Sequence, residues 1–328
     1  MQLEQRVKHF TDLDGLRGLL ALAIVLLHYG ANVIVQRASG GFLPGVLFQL
    51  AVDFFFVLSG YVLAHSSRGR RIDPIAFAKR RAWRLLPVYF TTLAMMVALG
   101  FVASTAPNYL TVRPPARLIV ADLFLAYPLV GAEPLNIPAW SITWELYLPI
   151  LALFLSRAFP LARMSAVLLL IALAASSLLA WRVGLGEHWY ATRAVAGLLA
   201  GAMLYRQSFA ASGRLLWPFL GAMAAIMVFA TRWPFLAVLF TPVVCGTILA
   251  GTNTKSLLSS PVVTFLGRIS YPLYLVHVPV LVAVSLVVDV SGSIFAKSAA
   301  LGLSIAASAL ITITIERWGI NRGRAVSY

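Results

Sequence analysis

Charge and cysteine are scarce in this chain of 328 residues, and no glycine-rich phosphate loop interrupts it. Only 11% of the residues are charged, 11 acidic against 26 basic, whereas soluble domains carry about 25%. The lone cysteine, Cys245, excludes an internal disulfide, and its apolar run lacks the cationic neighbours that make a reactive thiolate. Cys/His metal spacing, internal repeats and low-complexity tracts are missing as well, so no metal is expected. The net charge of +15 does not point to nucleic acid, because the basic residues gather at the ends of hydrophobic segments. Anionic lipid and the positive-inside rule account for that placement.

What is present is apolar: 60% of the residues are hydrophobic. Runs approaching the roughly 20 residues of a spanning helix lie near 15 to 35, 43 to 65, 86 to 104, 118 to 131, 140 to 156, 164 to 181, 189 to 205, 215 to 231, 235 to 251, 269 to 288 and 296 to 315. The short alternating segments of a membrane barrel are absent. The expectation is an all-α integral membrane protein, a bundle of about ten transmembrane helices. Asp12, Asp14 and Arg17 crowd the first run and no cleavage site follows it, so a retained N-terminus is expected rather than a signal peptide.

The fourth run holds Asp122 and Pro128, which suits a short re-entrant or interfacial segment better than a span. Basic residues decide the matter. Without that span and with a cytoplasmic N-terminus, 18 Lys and Arg face inside and six outside; with it, the count is 12 against 12, Arg17 and Arg193 being left out as intramembrane. The positive-inside rule favours ten spans with both termini cytoplasmic, as in a bacterial inner membrane.

Ionisable residues inside spans are costly and therefore functional candidates. His28 lies in the first run, eleven residues after Arg17. At about 100° per residue the two share a face, about 16 Å apart along the axis. A cation at the aqueous end with an imidazole behind it suits a long anionic cofactor whose reactive end reaches inside. The competing reading is a histidine that packs between helices. Asp14, one turn before Arg17, caps the helix or orients the guanidinium. Arg81 and Arg84, one turn apart before the third run, form a phosphate clamp or a topology signal.

Glu145 needs a partner at the outer end of the fifth run, and Arg193 is a buried candidate, as a structural ion pair or around a catalytic carboxylate. Ser270, Tyr274 and His277, four and three residues apart, line one helix face, as a polar pocket or as packing contacts. Asp53 is either a relay or the partner of a buried arginine.

Five stretches in order carry a family resemblance: Leu13-Asp14-Gly15-Leu16-Arg17-Gly18 with His28; Val52-Asp53-Phe54-Phe55-Phe56-Val57-Leu58-Ser59-Gly60; Arg81 with Arg84; Trp140-Ser141 to Glu145; and Gly267-Arg268-Ile269-Ser270-Tyr271 with His277. Together they resemble the acyltransferase-3 family of bacterial membrane O-acyltransferases, from about residue 10 to 318. Thr143-Trp144 before Glu145 departs from the smaller or acidic residue of many relatives.

The resemblance implies one membrane-embedded domain over 1–328, without the soluble hydrolase-like domain fused to some relatives. It implies transfer of an acyl group, acetyl first, from cytoplasmic acyl-coenzyme A to a hydroxyl of a surface or exported carbohydrate, with separate polysaccharide-synthesis proteins as partners. Arg17, Arg81 and Arg84 would hold the coenzyme's phosphates and His28 would act as general base. Glu145 would orient the imidazole or the acceptor, and Ser270, Tyr271 or Tyr274 would donate to the oxyanion. With Glu145 at the outer end and the arginines inside, the acyl group would cross the membrane during transfer. The alternatives are a transporter or flippase of a lipid-linked sugar, and an acyl-coenzyme A-dependent enzyme acting on a small molecule or lipid.

Overall fold

The computed structural model describes residues 2–31, 43–66, 73–104, 107–158, 191, 194–195, 197–199, 201–202, 260–290 and 292–325. All regular structure among them is helical: α1 (Gln2–Leu26), α2 (Leu43–Ser66), α3 (Pro74–Val102), α4 (Ala116–Leu123), α5 (Trp140–Ala158), α6 (Pro261–Ser285), α7 (Ile294–Ile311) and α8 (Arg317–Arg324). Two π turns, Leu27–Ala31 and Thr312–Glu316, follow α1 and α7. Helices are the economical solution for such apolar segments, since each satisfies its own backbone groups.

Among the described residues, five stretches are long and apolar enough to cross a membrane: Asp14–Ala31, Pro74–Val102, Ile137–Phe154, Pro261–Ser285 and Ile294–Arg324. Helix starts are written locally in the sequence. Pro74 and Pro261 open α3 and α6, where the missing N–H costs nothing, and the Ser293 hydroxyl caps α7 by accepting from the Ala296 N–H at 3.2 Å. The fourth run becomes α4, eight residues and about 12 Å of helix, too short to cross about 30 Å of hydrocarbon. Cys245, Arg193 and the runs 164 to 181, 215 to 231 and 235 to 251 lie outside the described residues, as does most of 189 to 205.

The chain forms two compact units. The first comprises Met1–Leu16, Gln36–Pro74 and Tyr147–Thr264. In it α2 meets helical residues 197–199 and 201–202 at a close crossing: a Cβ on Gly60 would fall 2.8 Å from the Leu198 Cα, and one on Gly201 would fall 2.6 Å from the Tyr61 backbone nitrogen. Gly197 and Gly201, four apart, supply the small-residue face that lets two membrane helices approach at backbone distance. Asp53 is buried in this unit.

The second unit comprises Arg17–Val35, Ile75–Leu146 and Phe265–Tyr328. α6 is its most enclosed helix, buried over 78% of its apolar stretch against 22 to 44% for the other four. Val25 and Tyr29 from the first segment, Leu266, Ile269, Leu273 and Leu281 from α6, and Ala300 from α7 form one core cluster. Met96, Ala103 and Leu110 close on Val278 and Val282 of α6 in another.

Candidate active site

The contacts described next are made by residues of the second unit. α1 and α6 touch at their glycines: a Cβ on Gly18 would lie 2.5 Å from the Leu266 carbonyl carbon and 2.9 Å from the Gly267 Cα. That approach sets Arg17 against α6, where its Nε donates to Ser270 Oγ (3.0 Å) and its Nη2 to the Gly267 carbonyl (3.2 Å). Ser270 passes its own proton to the same carbonyl at 2.8 Å.

Further along α1 the helix gives way to the π turn carrying His28, and Gly30 adopts φ 108°, a conformation that side chains resist. The turn presents His28 to α6 again. Its Nδ1 lies 3.0 Å from the Ile24 carbonyl and 3.2 Å from Nε2 of His277. The Tyr29 hydroxyl donates to the His277 carbonyl (2.8 Å) and meets Ser304 Oγ of α7 (2.6 Å), tying three helices together at this level. Tyr109 presents its ring edge-on to His28 with centroids 5.7 Å apart, from a backbone held at φ 71°. Few residues other than glycine take that conformation, and such outliers collect at functional sites.

Arg81 of α3 is fixed by α5. Its Nε donates to the Glu145 carbonyl at 2.6 Å and its Nη2 approaches Glu145 Oε1 at 3.4 Å. The carbonyl is available because the residue four positions on is Pro149, which has no N–H to complete the helical bond. Pro279 does the same to Leu275, and Asn136 Nδ2 supplies the missing donor at 2.9 Å. The Tyr271 hydroxyl donates to the Leu85 carbonyl at 2.7 Å. Ser141 Oγ meets the Tyr274 hydroxyl at 3.1 Å, and Thr143 donates to the Tyr127 hydroxyl at 2.8 Å, which gives the departure at Thr143 a structural partner.

The arginines converge electrostatically. Tyr271 lies within the field of Arg81, Arg84, Glu145 and Glu316, and Glu316 within that of Arg84 and Arg17. Among the described residues no group of three or more His, Cys, Asp and Glu is arranged to hold a metal ion.

Set against the sequence, His28, Arg17, Ser270 and His277 meet along α1 and α6, while Arg81, Glu145 and Tyr271 meet where α3, α5 and α6 come together. Asp14 and Asp53 belong to the first unit, and Arg193 lies outside the described residues. One expectation needs correction. Glu145 is held by Arg81 rather than standing at the opposite end from the arginines. The Ser270 and Tyr271 hydroxyls donate to the Gly267 and Leu85 carbonyls, bracing α6 against α3 and its own preceding turn.

The sequence reading missed Glu316, Asn136 and the role of Asp122. Glu316 is 8% exposed, and its Oε2 has no hydrogen-bond partner among the described residues. Its place next to Arg317 disguised it as a charge at the end of a span. Asp122 accepts from the Leu135 N–H (2.9 Å) and the Tyr89 hydroxyl (3.2 Å), and burial pushes its carboxyl up to about 6.

Comparison with known proteins bears on the family of the chain. "Protein 2 in picA locus" of Rhizobium radiobacter is 37% identical over 158 residues, 42% of this chain and 78% of that protein. The "Putative membrane-bound transacylase BcsY" of Komagataeibacter xylinus is 27% identical over 346 aligned positions, 94% of this chain and 83% of its own length. "O-acetyltransferase OatA" of Staphylococcus aureus (strain NCTC 8325 / PS 47) is 34% identical over 95 residues, 27% of this chain but only 14% of that protein. No solved structure matches. The family described as "Acyltransferase domain" matches residues 10–316, nearly the whole chain, and the protein therefore belongs to the acyltransferase-3 family of multi-pass membrane O-acyltransferases.

Proposed function

We propose that this protein transfers an acetyl group from acetyl-coenzyme A to a hydroxyl of an exported carbohydrate, with His28 as general base. The observation that carries the reading is that His28 and Arg17 dock on the same helix, α6, one against His277 and the other against Ser270 and Gly267. A pantetheine arm has the reach to join a phosphate site near Arg17 to a thioester beside His28, about 16 Å further along the helix.

In the reaction, the sugar hydroxyl gives its proton to the imidazole as its oxygen attacks the thioester carbonyl. The C–S bond breaks as the ester forms, and the protonated imidazole returns the proton to the departing thiolate. Arg17, Arg81 and Arg84 neutralise the coenzyme's phosphates, and Glu145 acts through Arg81 by fixing its orientation. The relatives named as a transacylase and an O-acetyltransferase support bond making over transport. In this reading the protein sits in a bacterial inner membrane with both termini cytoplasmic, and polysaccharide-synthesis proteins deliver the acceptor.

The test is thioester consumption and glycan acetylation with labelled acetyl-coenzyme A, in membranes holding equal amounts of the natural protein and of His28→Ala. Loss of both signals in the variant is expected. Unchanged transfer would remove His28 from the mechanism, and no transfer by either protein would overturn the choice of donor.

A further inference from the structure

His277 is fully buried, at 0% exposure, and its hydrogen bonds fix where the protons of two histidines sit. Its Nδ1 lies 3.1 Å from the Leu273 carbonyl. A carbonyl only accepts, so His277 Nδ1 carries the hydrogen and, in the neutral ring, Nε2 carries the lone pair. That lone pair faces Nδ1 of His28 at 3.2 Å. His28 Nδ1 also faces the Ile24 carbonyl at 3.0 Å, so two acceptors converge on it and it too must bear hydrogen. The basic lone pair of His28 is thereby placed on Nε2.

We infer that His277 is a positioning residue that does for His28 what a carboxylate does in a hydrolase triad: it accepts the Nδ1–H, sets the tautomer and ring angle, and steadies the imidazolium while His28 holds the substrate's proton. The inference rests on the reading of His28 as the base. The dyad is not a relay, because the far side of His277 points to the Leu273 carbonyl, which has nowhere to pass a proton. A neutral acceptor also avoids a carboxylate buried in a helix core, where an unpaired charge costs several kcal/mol, roughly.

The surroundings hold the pair in place. Tyr109 lies edge-on to His28, while Tyr29 and Tyr274 each have ring centroids 6.4 Å from His277. From α7, the Lys297 ammonium lies beside Gly30, at 2.8 Å from where its Cβ would be. Among the described residues these titratable groups lie near the dyad on α1, α6, α7 and the segment after α3, and none of them is altered in the variants below.

The experiment compares His277→Leu, His277→Gln and His28→Ala in acetyl-coenzyme A turnover, with thermal stability of each purified variant. Leu fills the space without accepting a hydrogen bond, so kcat should fall about 100-fold with KM for acetyl-coenzyme A unchanged. Gln brings an amide oxygen near the position of Nε2 and should recover most of kcat, although its stability need be no higher than that of Leu. Equal impairment of Leu and Gln, or full kcat in Leu, would overturn the inference while loss of activity in His28→Ala leaves the reading of His28 standing. Full activity in His28→Ala would overturn that reading first.

A measurement on the natural protein decides the matter even where the variants fail to fold. Nitrogen-15 spectra of histidine-labelled protein, with the His28 signal assigned through its loss in His28→Ala, should show hydrogen on Nδ1 and a bare Nε2. A His28 protonated on Nε2 in the neutral protein would overturn the assignment.

Discussion

Replacing Gly18 by alanine adds one methyl group at the crossing of α1 and α6, and the structure gives that methyl no room. It would lie 2.5 Å from the Leu266 carbonyl carbon and 2.9 Å from the Gly267 Cα, where ordinary contact begins at 3.4 Å. Both neighbours are backbone, so no side chain can swing away. The helices must part by about 1 Å, an overpacking whose cost is typically about 1 to 3 kcal/mol. In a chain of 328 residues that is a fall in Tm of about 1.5 to 4.5 °C. The same movement would stretch the Arg17 bonds, now 3.0 and 3.2 Å, to about 4 Å, past hydrogen-bonding range.

Gly302 in α7 is the matched control, since a Cβ there meets nothing within 4 Å. Gly302→Ala should be neutral or add about 0.5 to 1 kcal/mol through helix propensity. Thermal unfolding in detergent reads stability; with the proposed donor, KM for acetyl-coenzyme A would read the guanidinium and should rise about tenfold in Gly18→Ala once its bonds to α6 are lost. An unchanged Tm and KM in Gly18→Ala would refute the close crossing. Equal losses in the two variants would refute its assignment to this contact.

Pro149→Ala restores an N–H that competes with Arg81 for the Glu145 carbonyl. It should leave stability equal or higher, because an interior proline costs a helix about 3 kcal/mol, yet lower turnover about tenfold; undiminished turnover would show that the freed carbonyl does not hold Arg81. Asp122 makes a pH-dependent contribution. With its carboxyl raised to about 6 in the folded protein and near 4 when unfolded, the native state binds the extra proton between those values, so stability falls as pH rises from about 4 to about 6. Asp122→Asn should flatten the slope of Tm against pH in that interval, and a slope identical to that of the natural protein would refute the assignment.

How far the site could be read from sequence follows from what each residue depends on. Arg17 and His28 were legible because one helix carries both and helical spacing is arithmetic; the π turn at Leu27–Ala31 does not prevent both from reaching α6. Ser270, Tyr274 and His277 were legible as a stripe on α6, but the stripe could not say that Ser270 answers to Arg17 and His277 to His28. The shortness of the fourth run was legible from Asp122 and Pro128, and α4 has eight residues. The Arg81–Glu145 pair was not legible, because distance along the chain places Glu145 at the far end of its run. The 3₁₀ turn Ile137–Ala139 and the Asn136 bond to Leu275 instead start α5 at the level of the middle of α6, and Glu145 then meets α3 near Arg81. Only tertiary structure carries that information.

The prolines hold a signal that sequence alone could have supplied. A proline inside a helix leaves the carbonyl four residues earlier without its donor, and in an apolar core that carbonyl must find another. Pro149 frees Glu145 and a guanidinium answers; Pro279 frees Leu275 and an amide answers. Pro87 frees Trp83, and Gly319 of α8 closes on that oxygen, so nearly that a Cβ would also sit 3.0 Å from the proline ring. The first case divides the work of the paired arginines. Arg81 gives its Nε to a carbonyl and its Nη2 to a carboxylate, so it serves the joint between α3 and α5 as well as any ligand, whereas Arg84, one turn on, is exposed. If the proposed phosphate site is right, the coenzyme would meet the exposed Arg84 first and then an Arg81 guanidinium whose plane the freed carbonyl has already set.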